Sequence, residues 1–117
     1  MRNQPIHLPN GTLTIPVSGI ADVSNHIDMR KMPLRGITIF GPDTLTGTVS
    51  LEVSPNLDAE LPSVVRWNNL QSGGSDIVIG ADEAVPLDFI CWQGLRLSSG
   101  SAEGADRVFK ILGVEEI

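Results

Sequence analysis

Apolar and polar residues alternate along short segments of this chain. In residues 48–53, Val49, Leu51 and Val53 fall on one face of an extended segment, and polar residues fall on the other. Pairs of apolar residues with the same spacing recur in further segments: Leu13 and Ile15, Ile37 and Ile39, Ile77 and Ile79, Val85 and Leu87, Leu95 and Leu97, and Phe109 and Ile111. A period of two predicts β-strands that bury one face and expose the other.

Turn-forming residues separate these segments at short intervals. Clusters rich in Gly, Pro, Asn, Asp and Ser stand at 9–11, 18–19, 41–43, 54–56, 72–74, 80–82 and 98–101. Short strands at this spacing are typical of β-sandwiches and barrels. The best short-helix candidate, residues 102–106, is weakened by Gly104. We therefore predict an all-β fold, an antiparallel β-sandwich or jelly roll of about seven to eight short strands with an extended N-terminal arm.

Two details of the pattern make more specific predictions about single strands. Pro86 predicts that its segment is an edge strand or begins there, because proline has no N–H to donate to a neighbouring strand. Val108 and Leu112 fall on the opposite face from Phe109 and Ile111. Apolar residues on both faces predict that this last strand is covered on both sides.

The length of 117 residues fits one domain with its own core, and no linker divides the chain. We predict a single domain over residues 1–117, with an N-terminal arm at 1–10 and a C-terminal tail at 114–117. The arm is inferred from two prolines and few apolar residues. Residues 1–9 lack the apolar core of a secretory signal, and no apolar run approaches the roughly 20 residues that span a bilayer.

The charge balance limits the classes of partner. Eight Lys and Arg residues stand against fourteen Asp and Glu residues, which gives a net charge of −6. Because the basic residues are mostly scattered, we expect no nucleic-acid partner, and we expect no membrane partner.

Cys91 is the only cysteine, so an internal disulfide is impossible and synthesis in a reducing cytosol is expected.

The residues that carry chemistry form no recognisable catalytic motif. His7 and His26 have no His or Cys at metal-ligand spacing, and Cys91 lies in an apolar run that predicts a buried structural thiol. We expect no enzyme activity, no metal and no cofactor.

The two tryptophans are candidates for either packing or binding. Trp92 is predicted to lie in the core. For Trp67 the sequence favours neither of two positions, the core or an exposed rim that binds a sugar or a protein.

Four segments carry a resemblance to a known class of protein. They are GITIF at 36–40, LTGTVSLEVSP at 45–55, Trp67 with LQSGG at 70–74, and LRLSSGSAEGADRVFKILG at 95–113. Over residues 36–113 the chain resembles small virion proteins of tailed bacteriophages. It is most similar to the capsid decoration (cement) proteins of short-tailed phages, which are small β-sandwiches or jelly rolls on the outer capsid.

The resemblance implies a virion structural protein that is made in the host cytoplasm and binds the outer capsid surface. Its partners would be the major capsid protein, whose subunits it bridges and stabilises, and its own copies in a homo-dimer or homo-trimer. The candidate contact residues are Ile6, Leu8, Leu13, Ile15, Arg30, Lys31, Arg35 and Trp67. Two alternatives stay open: a receptor- or glycan-binding module of a tail fibre, and a tail or neck connector subunit.

Overall fold

The computed structural model describes residues 3–16, 23–31, 34–57, 65–88 and 92–116. Within these ranges the chain is all-β and antiparallel, with one short 3-10 helix at Met29–Lys31, so the predicted all-β class is confirmed. The described residues form eleven strands, more than the seven to eight that the sequence predicted. The strands are β1 Asn3–Ile15, β2 Ile27–Asp28, β3 Leu34–Phe40, β4 Val49–Ser54, β5 Asn68–Asn69, β6 Gln71–Ser72, β7 Ser75–Asp76, β8 Val78–Ile79, β9 Ala84–Leu87, β10 Gly94–Ser99 and β11 Arg107–Glu116. Residues 102–106 are not helical.

The first sheet has the strand order β1-β11-β3-β9. Its register places Leu13 opposite Phe109 and Ile111 opposite Ile39, so the alternating apolar residues share one face. Among the described strands, β1 and β9 lie at the two edges of this sheet. The edge position predicted from Pro86 is therefore confirmed, and the edge position of β1 accommodates Pro5 in the same way.

The two ends of the chain pair with each other. Residues 3–7 of β1 lie opposite residues 112–116 of β11. The prediction of a free arm and tail is therefore wrong for residues 3–10 and 114–116, which belong to strands β1 and β11 of the sheet. The two strands satisfy each other's backbone N–H and C=O groups, which gives the ends a structural role. The sequence was misleading because the prolines suggested an arm, although prolines also suit an edge strand.

The second sheet has the order β2-β10-β4-β5, and β8 also pairs with β4. Leu95 lies opposite Val53, Arg96 opposite Glu52, and Leu97 opposite Leu51. Leucines therefore point to one face of the sheet, and the Arg96–Glu52 pair points to the other face. This second face carries the candidate site described below.

Residues of these two sheets and of the 3-10 helix form one core between the sheets, while β6 and β7 pair in a separate two-stranded sheet. Its buried residues are Leu13, Ile15, Met29, Ile37, Ile39, Val49, Leu51, Ile79, Leu87, Leu95, Leu97, Phe109 and Ile111. Trp92 packs against this core, as the sequence predicted. The predicted covering of both faces of the last strand is wrong at Val108, which is 46% exposed, since no described element packs over this side chain.

A buried carboxylate, Glu103 in the loop between β10 and β11, joins this loop to the β3–β4 loop and to the adjoining ends of β10 and β11. Oε1 of Glu103 accepts hydrogen bonds from Thr46 N–H at 2.9 Å and Arg107 Nε at 2.8 Å. Oε2 accepts from Gly47 N–H at 3.1 Å and Ser99 Oγ at 2.9 Å. Burial alone would raise the pKa of Glu103, but these four hydrogen bonds together lower it from 4.5 to about 2. The carboxylate is therefore charged and fully partnered at neutral pH.

Candidate functional site

A half-open cleft of about 400 Å³ lies against the outer face of the second sheet. Its lining includes Asp28 of β2 and Arg96 of β10. The register of these strands puts both side chains on the face opposite the core leucines, so the cleft lies on that outer face. Residues from several segments line it: Ser24, His26, Asp28, Arg30, Leu57, Val65, Trp67 and Arg96. The lining combines polar and apolar groups, as binding sites for small ligands commonly do.

Arg96 is the central polar residue of the cleft. The register of β10 and β4 places it opposite Glu52, and its Nε donates a hydrogen bond of 2.6 Å to Glu52 Oε1. Both side chains are mostly buried, Arg96 being 25% exposed. Cross-strand pairing therefore fixes the position of the guanidinium on the sheet surface.

Trp67 covers the Arg96 guanidinium. Trp67 directly precedes β5, which pairs with β4 beside Glu52, so the chain path brings the indole over this part of the sheet. Arg96 Cζ lies 4.4 Å from the centroid of the Trp67 ring, which is a cation–π contact. The His26 ring lies 5.7 Å from the Trp67 ring, tilted by 52°. Trp67 is consequently half-buried and held on two sides.

A second ion pair, between Arg30 and Asp28, also lines the cleft. Arg30 donates two side-chain hydrogen bonds to Asp28, Nε to Oδ1 at 2.9 Å and Nη2 to Oδ2 at 2.7 Å. The backbone N–H of Arg30 also donates to Asp28 Oδ1 at 3.0 Å, which holds the start of the 3-10 helix. This fork geometry occupies both carboxylate oxygens of Asp28.

The cleft has more available donors than acceptors. Among the described residues, Nη1 and Nη2 of Arg96 meet no acceptor, and neither does Nε1–H of Trp67. The oxygens of Asp28 accept from Arg30, and Ser24 Oγ already donates to Asn25 O and accepts from Leu97 N–H. The lining therefore suits a ligand that accepts hydrogen bonds.

The structure brings together two of the residues that the sequence proposed as contacts. Arg30 and Trp67 both line the cleft. Leu13 and Ile15, in contrast, are completely buried in the core, so the prediction that they contact a partner is wrong. Their side chains pack between the two sheets. The same two residues were also predicted to form an alternating apolar pair on a strand, and their burial in β1 agrees with that prediction and not with a surface contact.

The remaining four candidates are placed by their backbones alone. Ile6 and Leu8 belong to β1, Lys31 ends the 3-10 helix and Arg35 belongs to β3. Their side chains lie outside the described part of the structure, as does the whole of Cys91. Their proposed contacts stay predictions.

Sequence reasoning missed Arg96, which organises the cleft. Its signal was weak: a charged residue on the polar face of a strand, like Glu52 on its own strand. Their pairing depends on a cross-strand register between positions 44 residues apart, which a local pattern does not specify.

Metal-binding clusters and membrane-spanning helices do not occur in the ranges that the structure describes. In those ranges no group of three His, Cys, Asp or Glu side chains could hold a metal ion. No helix in the same ranges is long and apolar enough to cross a bilayer.

No protein-family model, curated protein or solved structure matches this chain significantly.

Proposed function

We propose that this chain is a structural protein of a bacteriophage virion, a decoration protein that binds the outer capsid shell and stabilises it by bridging major capsid subunits. The observation that carries the proposal is the exposed apolar surface on the outer face of the first sheet. The resemblance of residues 36–113 to phage decoration proteins also supports the proposal. A decoration protein needs a stable body and an adhesive surface, and the exposed apolar residues offer such a surface.

The outer face of the first sheet carries a compact patch. Phe40 is 38% exposed and lies between Lys110 and Ala84, its partners on the neighbouring strands. Val108, 46% exposed, lies two residues before Lys110 on the same face of β11. We call Phe40, Ala84, Val108 and Lys110 the outer patch. Adjacent exposed apolar side chains favour a protein contact, because burying them removes apolar surface from water.

The outer patch gives the proposal a direct test with purified chain. The chain is mixed with capsids that lack it, and bound protein is separated by sedimentation. We expect the double variant Phe40→Ser/Val108→Ser to bind at least about tenfold more weakly, since two apolar contacts are lost. Val78→Ser is the matched control, because Val78 is 44% exposed on the second sheet. Failure of the wild-type chain to bind capsids, or equal binding by all variants, would contradict the proposal.

The cleft favours a second candidate function, a receptor- or glycan-binding module of a tail fibre. Trp67 and Arg96 form a stacked pair at its wall, and aromatic and Arg side chains are frequent in binding hot spots. This function predicts that the chain is found at fibre tips and that Trp67→Ala abolishes adsorption to host cells. Binding to capsids through the outer patch distinguishes the two functions.

A further inference from the structure

We propose that the cleft on the second sheet is a binding site for a single carboxylate group, and that Arg96 is the residue that recognises it. The inference does not rest on the virion role, because it follows from the geometry around Arg96 and Trp67. The carboxylate belongs either to an acidic amino-acid side chain or to an acidic sugar. Both present the same planar group of two acceptor oxygens.

The Arg96 guanidinium is already oriented for such a ligand. Its Nε is held by Glu52 at 2.6 Å, and its Cζ lies 4.4 Å from the centroid of the Trp67 ring. These two contacts restrict rotation of the side chain while leaving Nη1 and Nη2 without an acceptor in the described structure. A guanidinium binds a carboxylate through two parallel N–H donors, and prior orientation reduces the entropy lost on binding.

The groups around Arg96 favour a ligand group that accepts hydrogen bonds over one that donates them. Asp28 would repel a carboxylate if it were unpaired, but Arg30 occupies both of its oxygens. The indole N–H of Trp67 adds a donor, since it meets no acceptor among the described residues. A carboxylate only accepts hydrogen bonds, so it matches this lining better than a hydroxyl group or an amine does.

Charge and size restrict the ligand further. The two ion pairs of the cleft are individually balanced, and the chain carries a net charge of −6. A polyanion such as nucleic acid would be repelled by the whole protein, whereas one negative charge is tolerated beside a guanidinium. Leu57 and Val65 give one part of the lining an apolar surface. The ligand is therefore a monocarboxylate with a short neutral stem.

An NMR titration of the full-length chain tests the site. The 15N-labelled protein is titrated at constant ionic strength with N-acetyl-glutamate α-amide and, separately, with D-glucuronate. Their neutral counterparts, N-acetyl-glutamine amide and D-glucose, are the controls. We expect saturable shifts at the Trp67 indole N–H and the Arg96 Nε–H with at least one carboxylate, and at least about tenfold weaker binding of its neutral counterpart. The carboxylate that binds identifies the source of the ligand.

Two outcomes of this titration would overturn the proposal. One is that neither carboxylate produces a saturable shift at the cleft. The other is that a carboxylate and its neutral counterpart bind equally well. Neither outcome depends on a variant, and neither bears on capsid binding through the outer patch.

A pair of variants assigns the binding to Arg96. Arg96→Gln and Lys110→Gln each remove one positive charge, but Lys110 is exposed on the first sheet, outside the cleft lining. We expect Arg96→Gln to weaken carboxylate binding at least about tenfold and Lys110→Gln to change it less than about twofold. Equal losses in both variants would show a nonspecific charge effect and refute the site. Arg96→Lys, which keeps the charge, is expected to bind more weakly than wild type because it lacks the planar fork.

Discussion

Replacing Glu103 by Gln tests how strongly the buried carboxylate stabilises the fold. The variant keeps the size of the side chain but removes its charge and turns one acceptor oxygen into an NH2 donor. Each oxygen of Glu103 accepts two hydrogen bonds. At the position of Oε1 the new donor faces the N–H groups of Thr46 and Arg107, and at the position of Oε2 it faces Gly47 N–H, whereas the Ser99 hydroxyl there can turn its hydrogen to Ser101 O and accept. At least one N–H or O–H group nearby then loses its acceptor in a buried place, which is costly.

The shift in the pKa of Glu103 gives the expected magnitude. Its pKa falls from 4.5 to about 2 in the folded protein. At about 1.4 kcal/mol per unit, the charged carboxylate stabilises the fold by about 3 kcal/mol at neutral pH. The lowered pKa means that this stabilisation is complete above about pH 4.5 and is lost as the pH falls through about 2.

Urea unfolding followed by circular dichroism measures this effect. We expect Glu103→Gln to lower the free energy of unfolding by about 3 kcal/mol at pH 7, which corresponds to roughly 10 °C in Tm. Near pH 3 the difference between wild type and variant should shrink to about 1 kcal/mol, because Glu103 is then protonated in the unfolded chain but still mostly charged in the folded protein, so that folding requires the loss of a proton.

A matched control separates burial from the loss of a charge. Glu83 also accepts a backbone hydrogen bond, from Gly80 N–H, but its side chain is exposed. Glu83→Gln should therefore change the free energy of unfolding much less than Glu103→Gln does. The reasoning is refuted if Glu103→Gln is as stable as the control, or if its deficit is the same at pH 7 and pH 3.

Two further substitutions, Gly36→Ala and Leu97→Ala, test the packing of the sandwich, and Gly104→Ala is the control for the first. A Cβ at Gly36 would lie 2.8 Å from the carbonyl oxygen of Leu87, so Gly36→Ala should cost about 1–3 kcal/mol, whereas Gly104→Ala, with open space around it, should be nearly neutral in the same urea experiment. Leu97→Ala removes a completely buried side chain between the sheets and should lower the free energy of unfolding by about 2–5 kcal/mol. A loss below about 1 kcal/mol at Leu97 would contradict its place in the core.

The fold class could be predicted because alternation is a local signal. Val49, Leu51, Leu95 and Leu97 are buried as the period of two requires. Pro86 likewise marks an edge strand through its own missing N–H. The pairing of the chain ends was not predictable in this way, because strand partners far apart in sequence are set by tertiary structure.

The candidate site was predictable only in part. Trp67 was proposed as a contact because of its polar neighbours, and it does line the cleft. Its ring is half-buried and contacts Arg96 and His26. The stacking depends on how β4, β5 and β10 align, and no local pattern specifies that alignment. Val108 shows the converse: an apolar residue on a strand predicts burial, yet it is exposed here.

Immunogold labelling of virions tests the central proposal most directly. An antibody raised against this chain is applied to purified phage virions, and the particles are viewed by electron microscopy. A decoration protein predicts gold spread over the whole head. Gold confined to the tail or to the fibre tips would contradict the capsid role, and labelling of the fibre tips would point to the Trp67 cleft as a receptor contact.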